Sequence, residues 1–532
     1  MPSSKILSLY KVVLFFALSV SLLLLPICAQ EHSEDRNAHE RSRSAWLNYA
    51  HDPQHTGVSA NASQPLRKIH WSMPVDLNPQ MPSGELLSHY GSPLITAENT
   101  VIVPVKTGAF DGFRVEARNG RDGSIKWMLD SDYTVPFAGF TPPFGVVISR
   151  NHLVMPAAGG TVLERNSVNY SHGRVTRLAF YGIEHFNAAP ATFTNDVRIT
   201  TPITADSDGN LFFGFSVIGT PLPGLESGIA RVDRDGKGSW VSAVAASGNP
   251  NISKVATSCA PALSKDQRYL YVVVSSDFAP GGYLLKLDTE TLKTVNLVTL
   301  KDPQSGFDAF VPDSSSATPT VGPDGDVYFG VLENPFPGHH DRGWLLHFSA
   351  DLQQTKLAGG FGWDDTASVV DASLVRSYHG KSKYLLMTKY NDYAGIGGTG
   401  VNKIAILDPN TSQPDFIYGN PVMKEVLTIP GPTRDPLFPW LPGAVREWCI
   451  NTAAIDPSTK SVLVNSEDGK LYRWDLTTNH FTESMTLTGG VLEAYTPTVV
   501  GSDGTVYAIN RGVLFAIGAS CGEDADQNCE QN

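Results

Sequence analysis

The residues best suited to chemistry in this chain are acidic and aromatic, and they fall in short clusters. Trp363-Asp364-Asp365, Arg446-Glu447-Trp448 and Glu493-Ala494-Tyr495 are the densest, with His89-Tyr90, Arg198 and Asp313 standing apart. Carboxylates gathered in one place can bind a cation, or repel each other into raised pKa values useful for acid and base work. Aromatic side chains beside them supply the walls a ligand pocket needs. Asp365, Glu447, Glu493, His89 and Arg198 are therefore the candidate catalytic residues, and Trp363, Trp448, Tyr495 and Trp440 the candidate ligand-binding aromatics. Each has a plainer alternative, as a solvated channel residue or a cap on a strand hydrogen bond. His339-His340-Asp341 has metal-ligand types, but no third ligand stands at a fixed spacing, so a surface loop is favoured and no metal set can be named.

Several chemistries are excluded at the motif level. There is no Gly-x-Ser-x-Gly nucleophile turn, no phosphate loop and no Cys-x-x-Cys pair. Gly395-Ile396-Gly397-Gly398 lacks the strand-to-helix setting of a dinucleotide fingerprint. With 40 Lys and Arg against 53 Asp and Glu, a net charge of -13 and no basic run, the chain has no means of neutralising a nucleic-acid backbone.

What positions these clusters is a repeat. A small residue, often followed by Pro, leads into an apolar strand, an Asp/Gly turn and a second apolar strand. The phrase occurs at Ser92-Pro93-Leu94-Ile95, Thr201-Pro202-Ile203-Thr204, Ala260-Pro261-Ala262-Leu263, Thr318-Pro319-Thr320-Val321 and Thr496-Pro497-Thr498-Val499, with weaker copies near Thr141, Thr366 and Thr452. Third and fourth strands follow, as at Leu284-Leu285-Lys286-Leu287-Asp288 and Leu471-Tyr472-Arg473-Trp474-Asp475. Four short strands per repeat predict an all-β, eight-bladed β-propeller of four-stranded antiparallel blades. The last copy stops after its third strand, so residues 68–75 are expected to close the ring as its outer strand.

In a propeller, the segments leading into each innermost strand share a face with the loops between second and third strands. That face carries the clusters above, long glycine-rich loops in blades one to six, and a proline-rich connection, residues 431–443, that reads as an ordered cap. The expected site is the channel mouth there, with Trp363, Asp365, Glu447, Trp448, Glu493 and Tyr495 opposite His89 and Arg198.

Ala117-Arg118-Asn119-Gly120-Arg121-Asp122-Gly123-Ser124-Ile125-Lys126-Trp127 resembles the tryptophan-docking repeat of quinoprotein dehydrogenases. The segment from Ala45-Trp46 to His55-Thr56-Gly57 resembles the leader of bacterial quinoprotein-like propellers, and Trp240 is a partial echo of the docking motif. The resemblance runs from about Trp46 to Ile517. It implies blades docked by tryptophan, and makes pyrroloquinoline quinone (PQQ) with calcium a possible cofactor. The adjacent cysteines of the alcohol dehydrogenases in that family are missing, and no segment aligns with their calcium ligands. Three functions stay open: a module binding a small molecule, glycan or protein; a quinone- and calcium-dependent oxidoreductase; a lyase or hydrolase acting on a sugar polymer.

Residues 1–29 read as a cleaved signal peptide, with Lys5 and Lys11 before an apolar run too short to span a bilayer. The expected compartment is secreted or periplasmic; lipid anchoring through Cys28 is disfavoured by Ile27. Residues 30–45 are expected to form a disordered leader, 46–518 the propeller and 519–532 a tail in which Cys521 and Cys529 can close a disulfide. Cys259 and Cys449 can be a pair or two free buried thiols.

Overall fold

The second strands of the repeats carry the longest apolar runs, and they lie deepest. Thr100–Lys106, Tyr269–Ser275 and Tyr384–Tyr390 are buried along nearly their whole length. Outer strands such as His480–Thr486 instead alternate exposed with half-buried residues. That gradient is what a blade requires, because its middle strands are covered on both faces by neighbouring blades while its outer strand meets water.

The computed structural model describes residues 45–80, 90–109, 112–133, 145–276, 280–311, 317–489 and 497–520. Eight antiparallel sheets follow one another along the chain, each built outward from a short inner strand. The inner strands are Leu94–Ile95, Val147–Ser149, Thr204–Ala205, Ala262–Leu263, Thr320–Val321, Ser368–Asp371, Ala454–Asp456 and Val499–Val500. Lys68–Pro74 pairs with Val513–Gly518, so the amino-terminal strand completes blade eight. Helix is confined to short pieces such as Ile183–Ala188 and Pro190–Asp196.

Three blades depart from four strands, one by losing a strand and two by gaining one. Blade five keeps three, and its fourth segment is reduced to isolated bridges at Thr355 and Gly359. Ala358 there accepts a hydrogen bond from Met423 of blade six, which draws the segment away from its own sheet. Blades three and four each gain a strand, Val197–Ile199 and Lys254–Val255, paired to the far end of their second strands.

Trp127 docks as its motif implies. Its indole donates to Val168 of blade two at 2.8 Å, and the Arg165 guanidinium lies 3.8 Å above the ring. Trp71 does the same for blade eight, donating to Gly120 at 2.8 Å. Gly123, at φ +72°, lies so close beneath Trp71 that a Cβ would stand 2.7 Å from the ring.

The leader residues 46–59 thread the ring in blade order. Ile95, Ile148, Leu263, Val321, Val369 and Ile455 donate their amides to the carbonyls of Trp46, Leu47, Pro53, Gln54, Thr56 and Gly57, and Ala205 donates to the Asn48 side chain. Inner strands have no partner on their channel side, and the leader supplies one.

Candidate functional site

Tyr49 turns from the leader into the channel, and its hydroxyl donates to Asn451 at the approach to blade seven. His55 is fully buried beside it, hydrogen-bonded to Pro319 at 2.8 Å and Thr318 at 3.2 Å, and burial pushes its pKa down to about 4. Thr318 in turn bonds Thr366, and the Thr366 amide donates to Asn451. These groups form a polar floor linking blades five, six and seven.

Above that floor stands a cluster of ionisable side chains. Asp341 comes from the second loop of blade five, Asp365 from the approach to blade six, and Lys389 from the second strand of blade six. Glu447 and Cys449 come from the approach to blade seven, and Glu467 from the turn after its second strand. One ligand atom each of Glu447, Cys449 and Glu467 lie within 4.8 Å of one another, and the Cys449 thiol donates to Glu467 at 3.3 Å. Glu467 and Cys449 are buried and Glu447 half-buried.

The electrostatics follow from taking these carboxyls out of water. Burial pushes Asp365 up to about 7, against Lys389 and a hydrogen bond from Thr388. Asp341 is pushed up to about 7 by burial and the charge of Glu333. Glu447 and Glu467 are both raised, first by burial; the Glu467 charge adds to the effect on Glu447, which Lys389 opposes. The Tyr393 hydroxyl, beside Glu447 and Cys449, is held far above its ordinary value by the same burial. Several buried carboxyls sharing little positive charge are costly to keep, and that makes this cluster the candidate site.

The surroundings are rigid. Glu333 accepts from the amides of His339, Asp341 and Gly343 and so shapes the loop that presents Asp341. Arg342 donates to the carbonyls of Gly360 and Asn391, pinning blade five to blade six. The connection after blade six folds back on itself, with Arg434 bridged to Val445 and Arg446 paired to Asp435 at 3.5 Å.

Of the residues singled out from sequence, Asp365 and Glu447 belong to this cluster, each within the field of Lys389. Trp448 does not: its ring is fully buried against Tyr472 and Phe481, so it is a core residue with no face for a ligand. Trp363 is half-buried and lines a small recess with Cys259, Phe329 and Val331. Trp440 is 69% exposed on the cap. Arg198 lies away from the cluster, in a cleft between blades three and four. His89, Asp313, Glu493 and Tyr495 fall outside the described residues, as do residues 1–44 with Cys28, and Cys521 with Cys529. Cys259 and Cys449 are both buried and are not joined in a disulfide. The histidines of the 339–341 motif are structural, since His339 stacks on Trp344 at 3.9 Å and bonds Asp415, while His340 bonds Asp392. Sequence reasoning missed Lys389, Cys449 and Glu467 as site residues. Only Lys389 carried a signal, a charge near the end of an otherwise apolar strand, Tyr384–Tyr390; Cys449 and Glu467 lie in an approach segment and a turn, where nothing marks them.

No protein-family model and no curated protein matches the chain. Solved structures do. A europium-containing methanol dehydrogenase aligns at TM-score 0.52 and 10% identity, over 87% of this chain and 89% of that one. The quinohemoprotein alcohol dehydrogenase from Comamonas testosteroni aligns at 0.51 and 11%, over 92% and 83%. The quinohemoprotein alcohol dehydrogenase ADHIIG from Pseudomonas putida HK5 aligns at 0.51 and 12%, over 90% and 76%. These similarities establish a shared eight-bladed fold. Among the described residues, no helix is long and apolar enough to cross a membrane.

Proposed function

We propose that this chain is an exported, quinoprotein-like propeller that acts as a binding module, taking its ligand at the channel mouth over blades five to seven. The observation that carries this is the convergence of Glu447, Cys449 and Glu467 within 4.8 Å. Two carboxylates and a thiol are a donor set for a zinc-type divalent cation, and three protein ligands leave a coordination position for a ligand group. Calcium fits less well, because it needs six or more oxygen donors and gains nothing from sulfur.

Pyrroloquinoline quinone, which the fold neighbours bring to mind, does not fit the described lining. It is a planar tricarboxylate, and this lining is itself acidic: Asp341, Asp365 and Glu447 share Lys389, Glu467 stands beside Glu447, and Arg446 is paired to Asp435. Trp448, the tryptophan nearest the cluster in sequence, is buried in the core and offers no platform. An enzyme acting on a sugar polymer is the second reading, favoured by one observation: Asp365 and Asp341, with pKa values near 7, are poised as acids.

Calorimetric titration of the mature chain with zinc, and separately with calcium, at pH 8 tests the first reading. A single saturable zinc site, weakened at least about tenfold in Glu467→Gln, supports it. Absence of zinc binding overturns it, as does a quinone absorbance band with dye reduction after reconstitution. Release of unsaturated sugars from an acidic polysaccharide would establish the second reading instead.

A further inference from the structure

The extra strand of blade three, Val197–Ile199, sets Arg198 directly opposite Ser216 on the second strand. The extra strand of blade four, Lys254–Val255, stands across from it. Between them lies a cleft of about 700 Å³ whose walls include Arg198, Thr200, Ser216, Lys254 and Thr257, with Glu226 exposed on its rim.

Arg198 differs from the arginines whose guanidinium groups are spent inside the fold; Arg231, whose Nε also lacks a partner, still donates to Asn210 and lies 3.9 Å from Asp233. Arg342 is spent on the carbonyls of Gly360 and Asn391, and Arg473 on Glu483, Ser63 and Ser461. The Arg198 Nε is screened from solvent yet has no hydrogen-bond partner, and its guanidinium forms no ion pair with a described residue. Arg198 is half-buried and lines the cleft, and its screened Nε donor stays unmatched there until an acceptor arrives from outside. Its planar fork matches a carboxylate or phosphate, and nearby hydroxyls can engage the rest of a polar ligand.

We infer that the cleft between blades three and four is an oxyanion-binding site, in which Arg198 holds the carboxylate or phosphate of a hydroxylated ligand. It is separate from the cluster at blades five to seven and stands whether or not that cluster takes a cation.

Calorimetry of the mature chain with D-glucuronate, inorganic phosphate and D-glucose tests this. Saturable binding of glucuronate or phosphate, without binding of glucose, supports the inference and identifies which oxyanion is preferred. That binding should weaken in high salt, as an ionic contact does. Arg198→Gln should weaken it at least about tenfold, and Arg198→Lys should recover part, because the charge returns without the fork. Melting curves of both variants report whether they fold. If neither oxyanion saturates the wild-type chain, or if a folded Arg198→Gln binds as tightly as wild type, the inference fails.

Discussion

Cys449 and Glu467 reach each other from two segments of blade seven, the approach to its first strand and the turn after its second, with the thiol 3.3 Å from the carboxylate. A thiol donating to a buried carboxyl is a pair that a cation can displace by taking both as ligands. Protons must leave first, since burial holds Glu447 and Glu467 protonated to higher pH than usual. Zinc affinity should therefore rise by roughly tenfold or more per pH unit between about pH 6 and 8. Titrations at several pH values read this directly, and a flat profile would contradict it.

Asp365 carries a folded-state pKa of about 7 against an ordinary 3.8. The native chain thus holds a proton that the unfolded chain releases. Stability from this group is complete at low pH and is lost as pH rises toward and through 7. Asp365→Asn cannot ionise, so it should be more stable than wild type by about 1–3 kcal/mol at pH 8 and nearly equal at pH 4. Chemical denaturation at the two pH values decides it. Equal effects at both would mean the carboxyl is not strained by burial.

His55 works in the other direction. Its pKa is pushed down to about 4 by burial, so the folded chain keeps it neutral where the unfolded chain would protonate it. Stability is intact above about pH 6.5 and is lost as pH falls toward 4. His55→Asn should flatten that acid limb by roughly 3 kcal/mol, while costing some stability at neutral pH through its lost contact with Pro319.

Gly123 lets Trp71 dock closely, by its positive φ and by the Trp71 ring 2.7 Å from where a Cβ would sit. Gly123→Ala should cost about 1–3 kcal/mol, and less in a Trp71→Leu background, because part of the cost is the clash itself. Additive losses in the double variant would place the whole cost in the backbone.

How far the sequence led can be judged at these same residues. The eight inner strands were visible because each opens on a small residue and an apolar run, and the closing strand because the last repeat lacked one. Trp71 was overlooked as a docking tryptophan for a physical reason: blade eight is assembled from both ends of the chain, so its motif is split between Lys68–Pro74 and Val513–Gly518. Trp448 was misread because its neighbours 447 and 449 turn toward the channel, and alternation along an extended segment sends 448 into the core. Cys449 and Glu467 have no shared motif, and only the pairing of the first two strands of blade seven brings them together.

X-ray absorption at the zinc edge, on the zinc-loaded mature chain, tests the central claim most directly. The account predicts one sulfur at about 2.3 Å with oxygen or nitrogen ligands at about 2.0–2.2 Å, and loss of the sulfur in Cys449→Ser. A first shell without sulfur in the wild-type chain, or a spectrum unchanged by Cys449→Ser, would place the cation elsewhere and contradict it.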